Sequence, residues 1–223
     1  DTQDSAFTDA QPFGIVGTIV PSNYPLVLLT YYLAPALAAG NAVIVKPSLE
    51  APRSALYLAD LAREAGLPDG LMNVITGGSN PAKAIVEHPD IHKIAFTGGT
   101  ETGRIIEMTA ESYQKSLTLE LGGKCPMIIC ADAVTDETSL KEVVATTYDA
   151  VFLNTGQLCT AASRLLVEQS AYHRVVSSLV GYAKEKERVI GIPSKLETEL
   201  GPLIAERYLH ATLKHIENAR RDG

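Results

Sequence analysis

Short apolar runs rich in β-branched residues alternate along this chain with longer segments of helical period. The sequence predicts strands at 13–20, 42–45, 72–75, 93–96, 117–119, 127–130 and 164–168. It predicts helices at 26–39, 52–65, 81–87, 136–152, 171–189 and 205–221. Parallel strands need a crossover connection, which is usually a helix, so this alternation favours a parallel sheet covered by helices. The predicted fold class is therefore α/β.

The predicted elements separate into two α/β domains. Residues 1–12 form a polar leader, residues 13–122 carry the first domain, and a Gly-Gly break at 122 and 123 introduces the second domain at 123–223. The last predicted helix is not followed by a closing strand. We therefore expect the second domain to be incomplete.

Composition excludes several classes of protein. The chain has 19 Lys and Arg against 26 Asp and Glu, a formal charge of −7, so it lacks the basic excess that nucleic-acid binding requires. Three cysteines are too few and too widely spaced for a disulfide framework, which suits a reducing compartment. The polar amino end lacks the features of a secretory signal. We expect a cytoplasmic protein.

One segment requires a membrane check, because residues 13–45 contain no charged side chain. Prolines, a glycine and asparagines interrupt it too often for one straight apolar helix. A buried strand, helix and strand explain the same residues. No membrane partner is expected.

Cys159 is the strongest candidate for covalent chemistry. It follows a Gly-containing turn in Asn154-Thr-Gly-Gln-Leu-Cys-Thr-Ala-Ala162 and precedes small, helix-compatible residues. At a helix start, the dipole and backbone N–H groups would lower the pKa of its thiol and favour the nucleophilic thiolate. The alternative is a buried structural cysteine, since free Cys is among the most buried residue types.

Glu120 and Asn23 are further candidates. Glu120 interrupts an apolar strand just before two glycines, where apolar neighbours would raise its pKa and suit it as a general base. The alternative is a surface glutamate on an edge strand. Asn23 lies in Pro21-Ser-Asn-Tyr-Pro25, at the carboxyl end of the first strand, where its amide is positioned to donate to an oxyanion. Asn is also a common turn residue.

Two features are typical of dinucleotide binding. Phe96-Thr-Gly-Gly-Thr-Glu-Thr-Gly103 follows a strand and opens a predicted helix, so its amides face the place of a pyrophosphate. An ordinary strand-to-helix turn is the alternative. Lys46 ends the second strand, where a ribose or phosphate would lie. A surface lysine is the alternative there.

Metal binding is not expected. His88 and His92 have the spacing of a metal pair, but Pro89 disrupts a shared helix between them. Cys125 and Cys130 lie at the two ends of a predicted strand without an accompanying His cluster, which favours structural packing.

Five motifs in order resemble the aldehyde dehydrogenase superfamily, from about residue 13 to the end of the chain. They are Pro21-Ser-Asn-Tyr-Pro25, Lys46-Pro-Ser48, Phe96-Thr-Gly-Gly-Thr-Glu-Thr-Gly103, Leu119-Glu-Leu-Gly-Gly-Lys124 and Gly156-Gln-Leu-Cys-Thr160. The resemblance implies a Rossmann-like dinucleotide-binding domain, followed by an incomplete catalytic domain. It favours the functional interpretation of each motif over its structural alternative.

The resemblance also implies a reaction. Cys159 attacks an aldehyde, and Asn23 with the Cys159 backbone N–H holds the oxyanion of the thiohemiacetal. Hydride passes to NAD or NADP, and Glu120 activates the water that hydrolyses the thioester to a carboxylic acid. The presence of Glu120 favours a hydrolytic member over a coenzyme A-acylating one.

For the cofactor, the resemblance implies that Lys46 contacts the adenosine ribose, and Ser22 is a further candidate for cofactor binding. A loop lined by Gly98, Gly99, Thr100 and Gly103 would hold the cofactor, with Gly77 and Gly78 near the adenine end. Four positions depart from the family pattern. Ser22 replaces a usual Trp, Gly99 a frequent Ser, Cys125 a small residue after Lys124, and Leu49 a ribose-binding Glu, although Glu50 is adjacent. The choice between NAD and NADP therefore stays open.

Two other functions remain in view. One is a cysteine hydrolase that uses Cys159 and a histidine. The other is a catalytically incomplete dinucleotide-binding fragment, because family members are roughly twice as long as this chain. The resemblance further implies a homo-oligomeric parent protein that acts on a small-molecule aldehyde.

Overall fold

Five strands form one parallel sheet in the computed structural model, which describes residues 6–187 and 190–223. The strands are β1 (Ile15–Ile19), β2 (Ala42–Lys46), β3 (Met72–Val74), β4 (Lys93–Gly98) and β5 (Ser116–Leu121). Their order across the sheet is β3-β2-β1-β4-β5. The chain therefore begins in the middle of the sheet, winds outward to β3, returns past β1 and ends at the opposite edge.

Helices cover both faces of this sheet. They are α1 (Pro25–Ala38), α2 (Arg53–Glu64), α3 (Ser79–Glu87) and α4 (Thr100–Ser112). One core contains buried residues of α1 and α2 with β2, and the other contains buried residues of α3 and α4 with β1 and β4. A sheet buried on both faces explains the nearly continuous apolar runs of its central strands. The predicted Rossmann-like α/β fold is confirmed.

Local sequence signals set the ends of the helices. Pro25 occupies the start of α1, where its missing N–H is not needed. After α2 the chain turns through Gly66, whose φ of +89° is left-handed, and the Leu67 N–H donates to the Ala62 carbonyl. The expected glycine cap before Pro68 is therefore present.

A second unit begins at Gly122. It contains a parallel pair of strands, β6 (Pro126–Ile129) and β7 (Arg164–Val167). Its helices are α5 (Glu137–Phe152), α6 (Tyr172–Lys186) and α7 (Glu206–Asp222), with short 3₁₀ turns at 131–134 and 153–156. Helices α5 and α6 pack on the strands around one apolar core, whereas α7 buries no residue.

The predicted end of one helix differs from the structure. The helix predicted at 171–189 is α6, which ends at Lys186; positions 188 and 189 lie outside the described residues.

The uncharged segment 13–45 folds as β1, α1 and β2, as expected. Over the ranges 6–187 and 190–223, no helix combines the length and apolarity needed to span a membrane.

The close packing of β1 gives a first prediction. A Cβ on Gly17 would lie 2.4 Å from Ile85 Cγ2 and 3.1 Å from Ile94 Cδ1. We expect Gly17→Ala to lower the free energy of unfolding by about 1–3 kcal/mol, the usual cost of overpacking a core. Urea unfolding followed by circular dichroism measures this. Gly122→Ala is the control, because a Cβ there meets no atom within 4 Å. Equal losses in the two variants would contradict the steric explanation.

Candidate functional site

The sheet brings most of the predicted site residues to its carboxyl edge. In the strand register Ile19 pairs with both Lys46 and Phe96, and Thr97 pairs with Glu120. The segments that follow these positions therefore leave the sheet side by side. The order of strands reverses between β1 and β4, and open α/β sheets bind ligands at such a point.

Ser22 and Asn23 lie in the bend between β1 and α1, and both are half-buried. Close to this bend the Tyr32 and Thr97 hydroxyls share a buried hydrogen bond of 2.6 Å. This bond joins α1 to the carboxyl end of β4. The sequence analysis did not identify it, although a threonine at the end of an apolar strand, facing a tyrosine-rich helix, is a visible signal.

Lys46 is buried at the end of β2, with 8% of its surface exposed. The interpretation as a surface lysine is therefore wrong. Desolvation lowers the pKa of Lys46, and the nearby Glu50 carboxylate opposes that shift. Glu50 in turn accepts a hydrogen bond from the Ser48 hydroxyl. A buried ammonium at this edge is available to bind ribose hydroxyls or an anionic group.

Gly77 and Gly78 precede α3 at the same edge of the sheet. Gly77 has a φ of +144°, and a Cβ there would lie 2.7 Å from Pro81 Cγ. A side chain at this position would be strained and would also clash. Gly78 is less restricted, because its Cβ would stand 3.8 Å from Leu49 Cδ1. Only Gly77 is thus required by the backbone itself.

The glycines after β4 differ from one another. A Cβ on Gly98 would lie 2.4 Å from the Phe96 ring, whereas one on Gly99 would meet nothing within 4 Å. Gly99 precedes Thr100, the first residue of α4, and no side chain caps that helix. Gly103 is buried, and its Cβ would lie 2.5 Å from Leu121 Cδ2, so packing of α4 on β5 explains it.

These residues fit a dinucleotide. The first turn of α4 presents backbone N–H groups without a side-chain cap, beside the open space at Gly99. Such a helix start binds phosphate through its N–H groups and dipole, although Glu101 adds a negative charge to the same turn. An open, shallow cleft of about 450 Å³ is lined by residues 49–54, which follow Lys46 in the sequence.

Glu120 lies in β5, which is an edge strand, and its side chain is exposed. Of the two interpretations left open by the sequence, the position matches the edge-strand glutamate. An exposed position is not the buried, apolar setting expected of a base. Its assignment as a general base therefore depends on the family resemblance.

Cys159 belongs to the second unit, where it is half-buried in the segment between α5 and β7. The expectation that it begins a helix is wrong. Only four residues separate it from Arg164, where β7 begins, and a helix needs more than this to offset its nucleation cost. The Ala162 N–H instead donates to the Ala150 carbonyl at 2.9 Å. No helix begins at this thiol.

Neighbouring side chains hold the cysteine segment in place. Gln157 donates to the Asn154 carbonyl at 3.0 Å and accepts from the Ile204 N–H at 3.0 Å. The Thr155 hydroxyl donates to the Gly201 carbonyl at 2.9 Å. Asn154 and Thr155 have φ values of 53° and 59°, a left-handed conformation that is unusual for a β-branched residue. The role of Gln157 was missed, although it lies inside the cysteine motif.

Comparison with known proteins then identifies the relationship. A sequence model of the Aldehyde dehydrogenase family matches residues 1–223. The chain belongs to this family. Human retinaldehyde dehydrogenase 3 is 44% identical over 219 residues, covering 97% of this chain and 41% of that protein. Phenylacetaldehyde dehydrogenase of Pseudomonas fluorescens is 42% identical over 224 residues, covering 100% of this chain and 43% of that protein.

Solved structures agree with this assignment. The NAD⁺ complex of an aldehyde dehydrogenase from Bacillus cereus superposes with a TM-score of 0.89 at 40% identity, covering 96% of this chain and 42% of that one. Betaine aldehyde dehydrogenase from Staphylococcus aureus, also with NAD⁺, gives a TM-score of 0.88 at 32% identity, covering 95% and 41%. The chain thus spans about two fifths of the length of the relatives it matches.

The structure explains how two departures from the family pattern are accommodated. The open space at Gly99 leaves room for the serine that is frequent there. Glycine at this position therefore removes a hydroxyl group from the turn, and it is not needed to avoid a clash. Leu49, in place of the ribose-binding Glu, is 61% exposed. The neighbouring Glu50 provides a carboxylate that interacts with Lys46, which Leu49 cannot do.

The pair of Lys46 and Glu50 gives a second prediction. Since the Glu50 carboxylate raises the pKa of Lys46 against desolvation, Glu50→Gln should lower that pKa further. An NMR pH titration of the lysine ammonium signals measures the change. The pKa of Lys93 is lowered by burial alone, so it should be the same in Glu50→Gln as in the unmodified protein. Parallel shifts at both lysines would show that the cause is not Glu50.

Among the described residues, no cluster of three His, Cys, Asp or Glu side chains is placed to hold a metal ion. The cysteines at 125, 130 and 159 are free thiols. Cys130 is exposed, so structural packing does not explain it.

Proposed function

We propose that this chain carries the cofactor-binding and reacting groups of an NAD(P)-dependent aldehyde dehydrogenase that oxidises an aldehyde to a carboxylic acid. The observation that carries the proposal is the carboxyl edge of the first sheet. A family member with a buried lysine and an uncapped helix start at that edge has the groups that a dinucleotide requires.

The cofactor assignment follows from these groups. Lys46 would contact the ribose of the adenosine, and the N–H groups at Gly99 and Thr100 would hold the pyrophosphate. The NAD⁺ complexes of the Bacillus cereus and Staphylococcus aureus relatives support NAD. Glu50, beside Lys46, is the acidic residue nearest in sequence to the position that distinguishes NAD from NADP. Measured affinities for NAD and for NADP would show which of the two cofactors the protein prefers.

Cys159 is the proposed nucleophile. Its thiolate adds to the aldehyde carbon, forming a C–S bond, and the carbonyl oxygen becomes an oxyanion that accepts hydrogen bonds from the Asn23 amide and the Cys159 N–H. When bound, NAD or NADP would supply the hydride acceptor that is needed for this adduct to become a thioester. Glu120 then takes a proton from water as the water attacks the thioester carbon. The C–S bond breaks, which releases the carboxylic acid and restores the thiolate.

The substrate is an aldehyde whose identity is left open. Curated relatives are named for retinaldehyde and for phenylacetaldehyde, which differ widely in size. We propose further that the complete protein is a homo-oligomer, as the family resemblance implies. The three free thiols suit a reducing compartment such as the cytoplasm.

A second candidate is a dinucleotide-binding fragment without turnover. The short coverage of the relatives favours it for the 223-residue chain alone. The two candidates share the cofactor site and differ in catalysis. Nucleotide binding and aldehyde oxidation are therefore measured separately.

The third prediction concerns the cofactor. Lys46→Met should weaken NAD binding about tenfold or more, which corresponds to the loss of a hydrogen bond from a charged group. Isothermal titration calorimetry on the chain measures it. Lys93→Met is the matched control, since Lys93 is also partly buried but begins β4 at the opposite edge of the sheet. Equal weakening of NAD binding in both variants would show that Lys46 is not part of the cofactor site.

The fourth prediction concerns catalysis in the complete protein that contains this chain. Cys159→Ala should abolish aldehyde-dependent reduction of the cofactor while NAD still binds, and Cys130→Ser should leave turnover unchanged. Stopped-flow absorbance of the reduced nicotinamide follows the reaction. Substantial steady-state turnover by Cys159→Ala would refute the mechanism. Ester hydrolysis by the unmodified protein without any aldehyde-dependent reduction of NAD or NADP would favour a cysteine hydrolase.

Glu120→Gln separates the two halves of the same reaction. It should preserve the first burst of reduced cofactor and slow the following steady state by roughly 10²- to 10⁴-fold, the usual contribution of a general base. Glu107→Gln, at an exposed position on α4, is the control. A slowed burst with an unchanged steady state would contradict the assigned role.

A further inference from the structure

Two cysteines of the second unit lie at the same end of its sheet. Cys125 directly precedes β6, and Cys159 lies in the segment that leads into β7. The two strands are parallel, with Pro126 paired to Arg164, and the Arg164 N–H donates to the Cys125 carbonyl at 3.3 Å. Both cysteines are thus near the amino ends of adjacent strands.

Gly123 brings the two cysteines closer still. Its N–H donates to the Cys159 carbonyl at 3.2 Å. The point at which a Cβ of Gly123 would stand is 3.3 Å from Cys125 Sγ and 3.3 Å from the Cys159 carbonyl oxygen. Those two atoms are therefore separated by at most twice this distance. Because residue 123 is glycine, it contributes no side chain between them.

Cys130 provides the contrast. It follows the carboxyl end of β6, five residues beyond Cys125, which corresponds to about 16 Å along an extended strand. The neighbouring Ile129 carbonyl accepts from the Glu168 N–H, beyond the far end of β7. Of the two other thiols in the chain, only Cys125 is placed near Cys159.

We propose that Cys125 and Cys159 form a reversible disulfide when a peroxide oxidises Cys159. The inference rests on the nucleophilic Cys159 of the proposed function. The Cys159 thiolate attacks one peroxide oxygen, which breaks the O–O bond, gives a sulfenic acid and releases hydroxide. The Cys125 thiolate then attacks the Cys159 sulfur, expelling its hydroxyl group as hydroxide. Cys125 gives up a proton to form its thiolate, and that proton leaves with a hydroxide as water.

The local backbone permits the final approach of the two sulfurs. A disulfide requires Cβ atoms about 3.5–4.5 Å apart. Residues 122–125 and 157–163 contain no regular helix or strand, so both segments can adjust without breaking an element. The consequence is protective, because the disulfide can be reduced, whereas a sulfinic acid on Cys159 is irreversible without a dedicated repair enzyme.

The test treats the 223-residue chain with hydrogen peroxide, blocks free thiols and maps its peptides without reduction. Trypsin cleaves after Lys124, Lys141 and Arg164, so Cys125 and Cys130 share peptide 125–141 and Cys159 lies on peptide 142–164. We expect these two peptides to be joined in the monomer band of a non-reducing gel. The joined species should persist in Cys130→Ser and be lost in Cys125→Ser, where sulfinic acid at Cys159 should accumulate instead.

Other results would overturn the disulfide. Loss of the joined peptides in Cys130→Ser, or equal sulfinic acid formation with and without Cys125, would do so. Rapid alkylation of Cys159 by iodoacetamide without any cross-link would reject the disulfide and leave the proposed nucleophile intact. A cross-link in a complete protein that lacks dehydrogenase activity would reject the proposed function alone.

Discussion

Parallel pairing of the central strand with neighbours on both sides is the constraint on which the proposed cofactor site depends. β1 pairs with β2 through Ile19 and Lys46 and with β4 through Ile19 and Phe96. This register fixes where each strand ends, and with it the positions of Asn23 and Gly99 on one edge. The buried apolar side chains of both faces stabilise the register, because a slip by one residue would exchange the side chains of each strand between two differently packed cores.

Much of this could be predicted from the sequence. Strands buried on both faces and helices with an apolar stripe have strong local signatures, so the α/β alternation was correctly predicted throughout the chain. The surroundings of single residues were less predictable. Burial of Lys46 depends on the packing around the end of β2, and the exposure of Glu120 depends on β5 lying at the sheet edge. Neither the packing nor the strand order is encoded in the local residues.

Cys159 shows a different limit. Small residues after the cysteine are compatible with a helix, but the chain must reach β7 within four residues, and pairing of β7 with β6 prevails over local propensity. The segment is instead fixed by hydrogen bonds from Gln157 and Thr155 to distant parts of the chain. Sequence motifs predict Cys159 as the reactive residue, whereas its segment is supported by contacts that no short motif contains.

The buried hydrogen bond between Tyr32 and Thr97 links two segments that are far apart in the sequence. Tyr32 is on the helix that follows Asn23, and Thr97 immediately precedes the glycines of the phosphate loop. The position of α1 and the position of the turn at Gly98 and Gly99 are therefore coupled through this bond. A substitution that repacks α1 would also disturb the turn at Gly98 and Gly99, so these two segments would change together rather than independently.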